Sequence, residues 1–186
     1  GGAMGLYYIL KGVKPGTDPL SPDNILTFMC SVVTGLPVSG QSRICVNAKS
    51  PMSGGIGDSQ AGGFFPAEVK FAGFDGIVIS GKADKPVYLW IHTGKAELRD
   101  ATHLWGKSTK VVDKMLKDEL GDPKAQIAQV GPAAEKGVLF SSIVNMVNRN
   151  NGRTGMGTVM ASKNLKAVAV RGTAKVTAAD PKKILE

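Results

Sequence analysis

The sequence predicts an α+β fold. Helical and strand segments are intermixed along it, and hairpin-type connections join strands without the regular alternation of a βαβ sheet. Its 186 residues are 42% hydrophobic and 20% charged, enough apolar material for one ordinary core. Glycine is abundant, with 24 residues and neither a collagen period nor a low-complexity tract. The excess therefore belongs in turns, tight packing, or places where backbone approaches a ligand.

In chain order, the apolar run Leu6 to Leu10 predicts a helix that ends at Gly12 and Pro15. Thr17 to Pro22 is a turn-rich connector. Ile25 to Val33 is a continuous apolar run of strand length, and Arg43 to Ala48 alternates as a second strand. Lys49 to Gly63 reads as a glycine-rich loop. Phe64 to Phe71 has helical spacing, and Gly76 to Ser80 is a short β-branched strand. Val87 to His92 and Lys95 to Arg99 flank Thr93-Gly94, a hairpin signal. Ser108 to Leu120 is the clearest helix: Ser108 is its N-cap, Val111, Val112, Met115 and Leu116 form its apolar face, and Gly121 with Pro123 stops it. Ala125 to Val130 and Leu165 to Val170 are strands, with a second glycine-bearing loop at Asn148 to Gly157.

Lysine plus arginine exceed aspartate plus glutamate by 23 to 15, a formal charge of +8 that suits phosphate-bearing partners. The charge is dispersed and aromatics are only 6%, so no basic, base-stacking surface is built and nucleic acid is not an expected partner. No apolar run reaches the roughly 20 residues of a membrane span, and the start lacks a signal-peptide pattern. Cys30 and Cys45 lack CxxC spacing and sit in apolar runs, which fits buried thiols in a cytoplasmic setting. His92 and His103 are far apart and unsuited to metal ligation. Trp90 and Trp105 read as packing residues, Glu68 and Lys70 as a solvated face or paired charges, and Asp113–Lys117 as a helix-surface pair.

Two segments concentrate the remaining signal, residues 49–76 and 131–170. Each sets glycines and small residues around a few polar or basic side chains, followed by a regular element. Backbone N–H groups in such loops can form anion-binding concavities. Arg149 and Arg153, bracketing Asn150-Asn151-Gly152, offer forked donors for phosphate or a heterocycle edge. Neither GxGxxG in its strand–loop–helix setting nor GxxxxGK[ST] is present. On residue chemistry alone, tight turns explain the glycines better than a ligand does.

The wording of the sequence goes further. DPLSP (18–22), the Arg43 strand, KSP (49–51), GGFF (62–65), EVKFAGFD (68–75), GKADKPVYLWI (81–91), HLWGK (103–107), GPAAE (131–135) and the run from Gly152 through SKNLKA (162–167) to Val170 occur in this order. Through them the chain resembles the N-terminal domain of the tungsten-containing aldehyde:ferredoxin oxidoreductase family along almost its whole length. The resemblance implies an α+β fold of two related halves with mixed β-sheets and a few helices. It implies a tungsten, or sometimes molybdenum, ion between two pterin dithiolenes, with a magnesium ion bridging the pterin phosphates. Arg43 then contacts the cofactor between a pterin and an iron–sulfur cluster. Gln60 and Asn150 lend backbone carbonyls to the magnesium, and Ala61, Gly62, Gly63, Arg149, Gly152 and Arg153 line the cofactor.

Departures from the family pattern fall at Gln60 (usually Asn), Asn148 (usually His), Asn150 (usually Ala) and an N-terminal position that usually holds Arg. The four cysteines of the family's [4Fe–4S] cluster are not supplied by Cys30 and Cys45, and its acid/base residues belong to later helical domains. The resemblance therefore implies a cofactor-cradling domain at residues 1–175 and, at 176–186, the start of a connection to those helical domains. The implied partners are those domains, ferredoxin or another iron–sulfur acceptor, and further copies of the protein, while the fragment alone is expected to be inactive. A competing reading is a cofactor-free binding or assembly module with the same fold. Another, resting on charge and glycine alone, is a phosphate- or nucleotide-binding domain.

Overall fold

The computed structural model describes residues 1–184. The expected connection at 176–186 thus has its last two residues outside the described residues. Two sheets face one another across one apolar core. The first contains β1 (Leu26–Cys30), β2 (Arg43–Lys49), β3 (Ile56–Gly62) and β4 (Gly76–Ile79) in the order β3-β2-β1-β4, with every neighbouring pair antiparallel. The second contains β5 (Val87–His92), β6 (Lys95–Asp100), β7 (Gln126–Gln129), β8 (Ile143–Asn145), β9 (Arg149–Asn151) and β10 (Leu165–Arg171). Its order is β6-β5-β10-β7-β8-β9, with β5 parallel to β10 and the rest antiparallel.

Among the described residues there are five α-helices: α1 (Gly2–Gly12), α2 (Phe65–Phe71), α3 (Thr109–Leu120), α4 (Pro132–Glu135) and α5 (Met156–Ser162). The halves repeat one plan. In the first, the meander β1-β2-β3 is followed by α2, and β4 returns to pair with β1. In the second, β7-β8-β9 is followed by α5, and β10 returns to pair with β7. Both connecting helices are seven residues long. The hairpin β5–β6 belongs to the second half alone and covers β10.

Most expected elements form where hydrophobic spacing puts them. Thr93 and Gly94 both take positive φ, 46° and 78°, as a two-residue hairpin turn demands. Ser108 caps α3 by position, although its hydroxyl makes no capping bond, and Gly121 ends the helix at φ 65°. The glycine-rich stretch 49–63 is not wholly loop, however: residues 56–62 form β3. Its buried positions are Gly57, Ser59 and Ala61, so the alternation is real but carried by residues too small to register as apolar. Likewise β9 and the first turn of α5 occupy part of the second expected loop.

The main core joins Phe28, Ile44 and Val46 of the first sheet to Ile91, Val168 and Val170 of the second, with Phe65 of α2 and Met156 of α5 between. A second cluster packs Val112 and Leu116 of α3 against Tyr88, Trp90 and Ile127 on the outer face. Trp90 is buried and Trp105 packs against the main core, so both tryptophans pack as expected. Cys30 and Cys45 are free and buried. Glu68 pairs with Arg171, Lys70 with Asp75, and Asp113 with Lys117 at 2.8 Å. His92 meets Glu97 and His103 meets Glu119. No helix among the described residues is long and apolar enough to cross a membrane.

Candidate functional site

The two glycine-bearing segments, far apart in sequence, meet where β3 and β9 end their meanders. Asn151 Nδ2 donates to the Ser59 carbonyl at 2.8 Å, and the Arg153 N–H donates to Ser59 Oγ at 3.1 Å. Ser50 Oγ of the KSP motif donates to the Thr154 carbonyl at 2.9 Å, a link across 104 residues. Glycine is needed at the seam: a Cβ on Gly57 would lie 2.6 Å from the Met156 methyl. Gly63 takes φ 108°, and a Cβ there would lie 2.5 Å from the Met146 sulfur and 3.1 Å from Asn145 Oδ1.

An open cavity of about 500 Å³ lies along this seam, lined by Asp58, Ser59, Gln60, Asn150, Gly152 and Arg153. A second, of about 440 Å³, adjoins it through Gly152 and Arg153 and includes Ser50, Met52, Phe140 and Thr154. Gln60 and Asn150 occupy matching stations of the repeat. Gln60 lies opposite Cys45, which lies opposite Met29, while Asn150 lies opposite Val144, which lies opposite Gln129. The central strand of each meander is thus crossed at the corresponding rung.

Of the residues expected at a site, Gln60, Asn150, Gly152 and Arg153 share the first cavity. Gly63 approaches the Arg149 side chain. Arg43 is exposed at the head of β2 opposite Gly62, with the neighbouring Ser42 hydroxyl bonded to the Gly63 carbonyl at 2.7 Å. β2 is an interior strand, so Arg43 is not a charge on a sheet edge. The side chain of Ala61 turns into the core, leaving only its backbone on this face. Asp58 and Ser59 carry no signal in the sequence, because the polar wording GDSQ hides a strand; Asp58 and Gln60 lie on its exposed face and Ser59 on its buried face, and all three line the cavity.

Backbone strain is concentrated here. Met146, Val147 and Thr154 have φ of 51°, 64° and 59°, left-handed conformations that residues with a Cβ resist, the β-branched Val147 and Thr154 most. Beneath the turn, Asn145 is fully buried and neither its Oδ1 nor its Nδ2 has a partner; Thr154 Oγ1 is likewise unpaired. Buried polar atoms without partners are costly, and strain of this kind gathers at ligand clamps. Nearby, burial pushes the Cys45 thiol up, with the Asp58 carboxylate adding to the effect.

Lysines of the SKNLKA run, by contrast, are structural: Lys163 ties the second half to the first, and Lys166 anchors within the second. Lys163 is buried and its ammonium donates to the carbonyls of Pro22, Asn24 and Gly81. Lys166 pairs with Glu135 in the interior and donates to the Val130 and Lys107 carbonyls.

Fold and site together define a two-half α+β domain whose halves present one arginine-flanked, glycine-lined face. Over residues 1–172 the chain matches the family described as aldehyde ferredoxin oxidoreductase, N-terminal domain, and it belongs to that family. It is 48% identical to the tungsten-containing aldehyde ferredoxin oxidoreductase of Pyrococcus abyssi over 98% of this chain and 30% of that protein. It is 36% identical to the aliphatic sulfonate oxidoreductase, WOR-like subunit, of Pyrococcus furiosus over 93% of this chain and 30% of that protein. Among solved structures it superposes with TM-score 0.94 and 38% identity on the active site complex BamBC of benzoyl coenzyme A reductase, over 98% of this chain and 28% of that one. The chain therefore spans less than a third of the length of these relatives, and it is an oxidoreductase-family domain.

Proposed function

We propose that this chain is the cofactor-cradling domain of a tungsten- or molybdenum-dependent oxidoreductase whose metal is held by two pterins. The observation that carries the reading is the matched placement of Gln60 and Asn150 on one cavity, a symmetric seat for a symmetric pair of ligands. Residue chemistry fits as well. Arg153, Gly152, Ser59, Gln60 and Asn150 line the cavity, a polar, donor-bearing wall that suits an anionic heterocycle.

Gln60 and Asn150 would hold the magnesium through backbone carbonyls, oxygen ligands of the hard type it prefers. Arg149 and Arg153 would grip the pterin phosphates with forked donors, while Arg43 would lie against a pterin on the side facing the [4Fe–4S] cluster. Ala61, Gly62, Gly63 and Gly152 would let backbone approach the rings closely. When bound, the metal–pterin group supplies two-electron redox chemistry, in which an aldehyde and water give an acid, two electrons and two protons. The protein's part is binding, orientation and electrostatics.

The parent reaction is oxidation of an aldehyde or related oxo compound, with electrons leaving through [4Fe–4S] to ferredoxin. The cluster and substrate channel come from further domains of the parent protein, and the isolated domain does not turn over. Two buried free thiols support the cytoplasm as its setting. The test is metal analysis and pterin fluorescence on the parent protein purified without air. Stoichiometric tungsten or molybdenum with two pterins is expected, and absence of both metals overturns the reading in favour of a cofactor-free module.

A further inference from the structure

The two carbonyls proposed to seat the magnesium stand on different sheets. β3 and β9 are the outermost strands of those sheets, and no ladder joins one to the other among the described residues. Hydrogen-bond phase decides where each carbonyl points. The Cys30 N–H donates to the Asp75 carbonyl at 3.0 Å, so Cys30 faces β4 and its neighbour Met29 bonds Cys45 of β2. Val46 then bonds Ser59, and Gln60 turns its N–H and C=O away from its own sheet. In the second half the Val130 N–H donates to the Lys166 carbonyl at 3.0 Å, so Gln129 bonds Val144 and Asn145 bonds Arg149. Asn150 is thereby turned outward, as Gln60 is.

Each outward-turned residue has a buried neighbour that reaches the other strand. Ser59 precedes Gln60 and is 3% exposed; Asn151 follows Asn150 and is 1% exposed. Asn151 Nδ2 donates to the Ser59 carbonyl at 2.8 Å, and the Ser59 hydroxyl accepts the Arg153 N–H at 3.1 Å. The Ser59 carbonyl also faces Val46, so it serves its own ladder and the bridge together. The remaining bridge, from Ser50 to the Thr154 carbonyl, lies further along the chain from both Gln60 and Asn150. With no backbone ladder between the strands, the bonds of Ser59 and Asn151 set the span between the two carbonyls.

We infer that Ser59 and Asn151 are positioning residues, whose two bonds fix the span between the Gln60 and Asn150 carbonyls and so match the bridging-cation seat to magnesium rather than calcium. The inference rests on the cofactor reading above. Magnesium demands oxygens at about 2.1 Å in near-ideal octahedral geometry, whereas calcium accepts about 2.3–2.6 Å in looser arrangements. Two carbonyls held at one span suit the first ion; carbonyls free to part admit the second. Neither side chain is asked to touch the cation, because each acts through the carbonyl beside it. The same clamp anchors the Arg153 backbone on the wall of the cavity.

The test uses the parent protein purified without air and equilibrated with equal magnesium and calcium, both ions and tungsten or molybdenum being counted by elemental analysis. The wild type should retain magnesium. Ser59→Ala and Asn151→Leu should lower the magnesium-to-calcium ratio about tenfold, the usual effect of freeing a group that orients a metal ligand. Ser59→Thr, which keeps the hydroxyl, should hold the wild-type ratio. Thr158→Val removes another buried hydroxyl, bonded to Ser141 and Val138 outside both strands, and should leave the ratio alone. An unchanged ratio in the first two variants overturns the inference, as does an equal fall in Thr158→Val. A wild type without tungsten, molybdenum and pterin instead overturns the cofactor reading, and this inference with it. The present chain gives a measurement independent of cofactor loading. By NMR hydrogen exchange, the Arg153 amide should exchange about tenfold faster in Ser59→Ala, while Asn151, held in the β8–β9 ladder, is unchanged. Equal exchange at Arg153 overturns the clamp itself.

Discussion

Arg43 and Lys163 show how differently two cations serve one domain. Arg43 is exposed at the mouth of the site, so Arg43→Ala should change stability by no more than about 0.5 kcal/mol. In the parent protein the same change should lower metal content or slow electron transfer, read by elemental analysis and single-turnover kinetics. Lys163 is buried against three carbonyls, and Lys163→Met would take this donor from all three, leaving the Pro22 carbonyl with only the Gly81 N–H. A loss of about 3 kcal/mol is expected, read from urea denaturation. Burial also pulls the Lys163 ammonium down to about 8 from its ordinary value of 10.5. The unfolded chain then holds this proton where the folded chain has released it, so this lysine's contribution rises with pH between the two values. It is lost as pH falls through about 8. Denaturation across pH 7.5 to 10.5 should show that rise in the wild type and a flatter profile in Lys163→Met.

At the scale of elements, the β8–β9 turn is the strained part. Val147→Gly removes a branched side chain from φ 64° and should stabilise the chain by about 0.5–1 kcal/mol, measured by thermal melting. How well each element can be read from sequence follows from its burial. β1, β2, α3 and β10 are legible because bulky apolar residues mark their inner faces. β3 escapes because its inner face is glycine, serine and alanine. α5 escapes because six of its seven residues are buried, leaving no polar face to reveal a helical period. Arg149, Arg153 and the glycines stand out by residue type, and family wording adds Gln60 and Asn150. Asp58, Ser59 and Asn145 become visible only when β3 and β9 meet, because contacts across some 90 residues leave no local pattern.

For the molecule as a whole, the two repeated halves share one core, with Phe28 and Ile44 packed into the same cluster as Ile91 and Val168. The halves should therefore unfold together. Both tryptophans, Trp90 and Trp105, lie in the second half, whereas far-UV circular dichroism reports both sheets. Coincident melting curves by fluorescence and dichroism are expected; separated midpoints would mean that the halves are independent units. The shared core has a practical corollary in its sulfur chemistry. Burial pushes the Cys30 thiol up to about 12, and the Cys45 thiol is also raised. Both therefore stay in the thiol form at neutral pH, whereas alkylating reagents attack the thiolate. The native domain is thus nearly silent to maleimides. A single cysteine introduced at exposed Phe140, on the rim of the second cavity, would carry a fluorophore without competition and report ligand arrival at the seam.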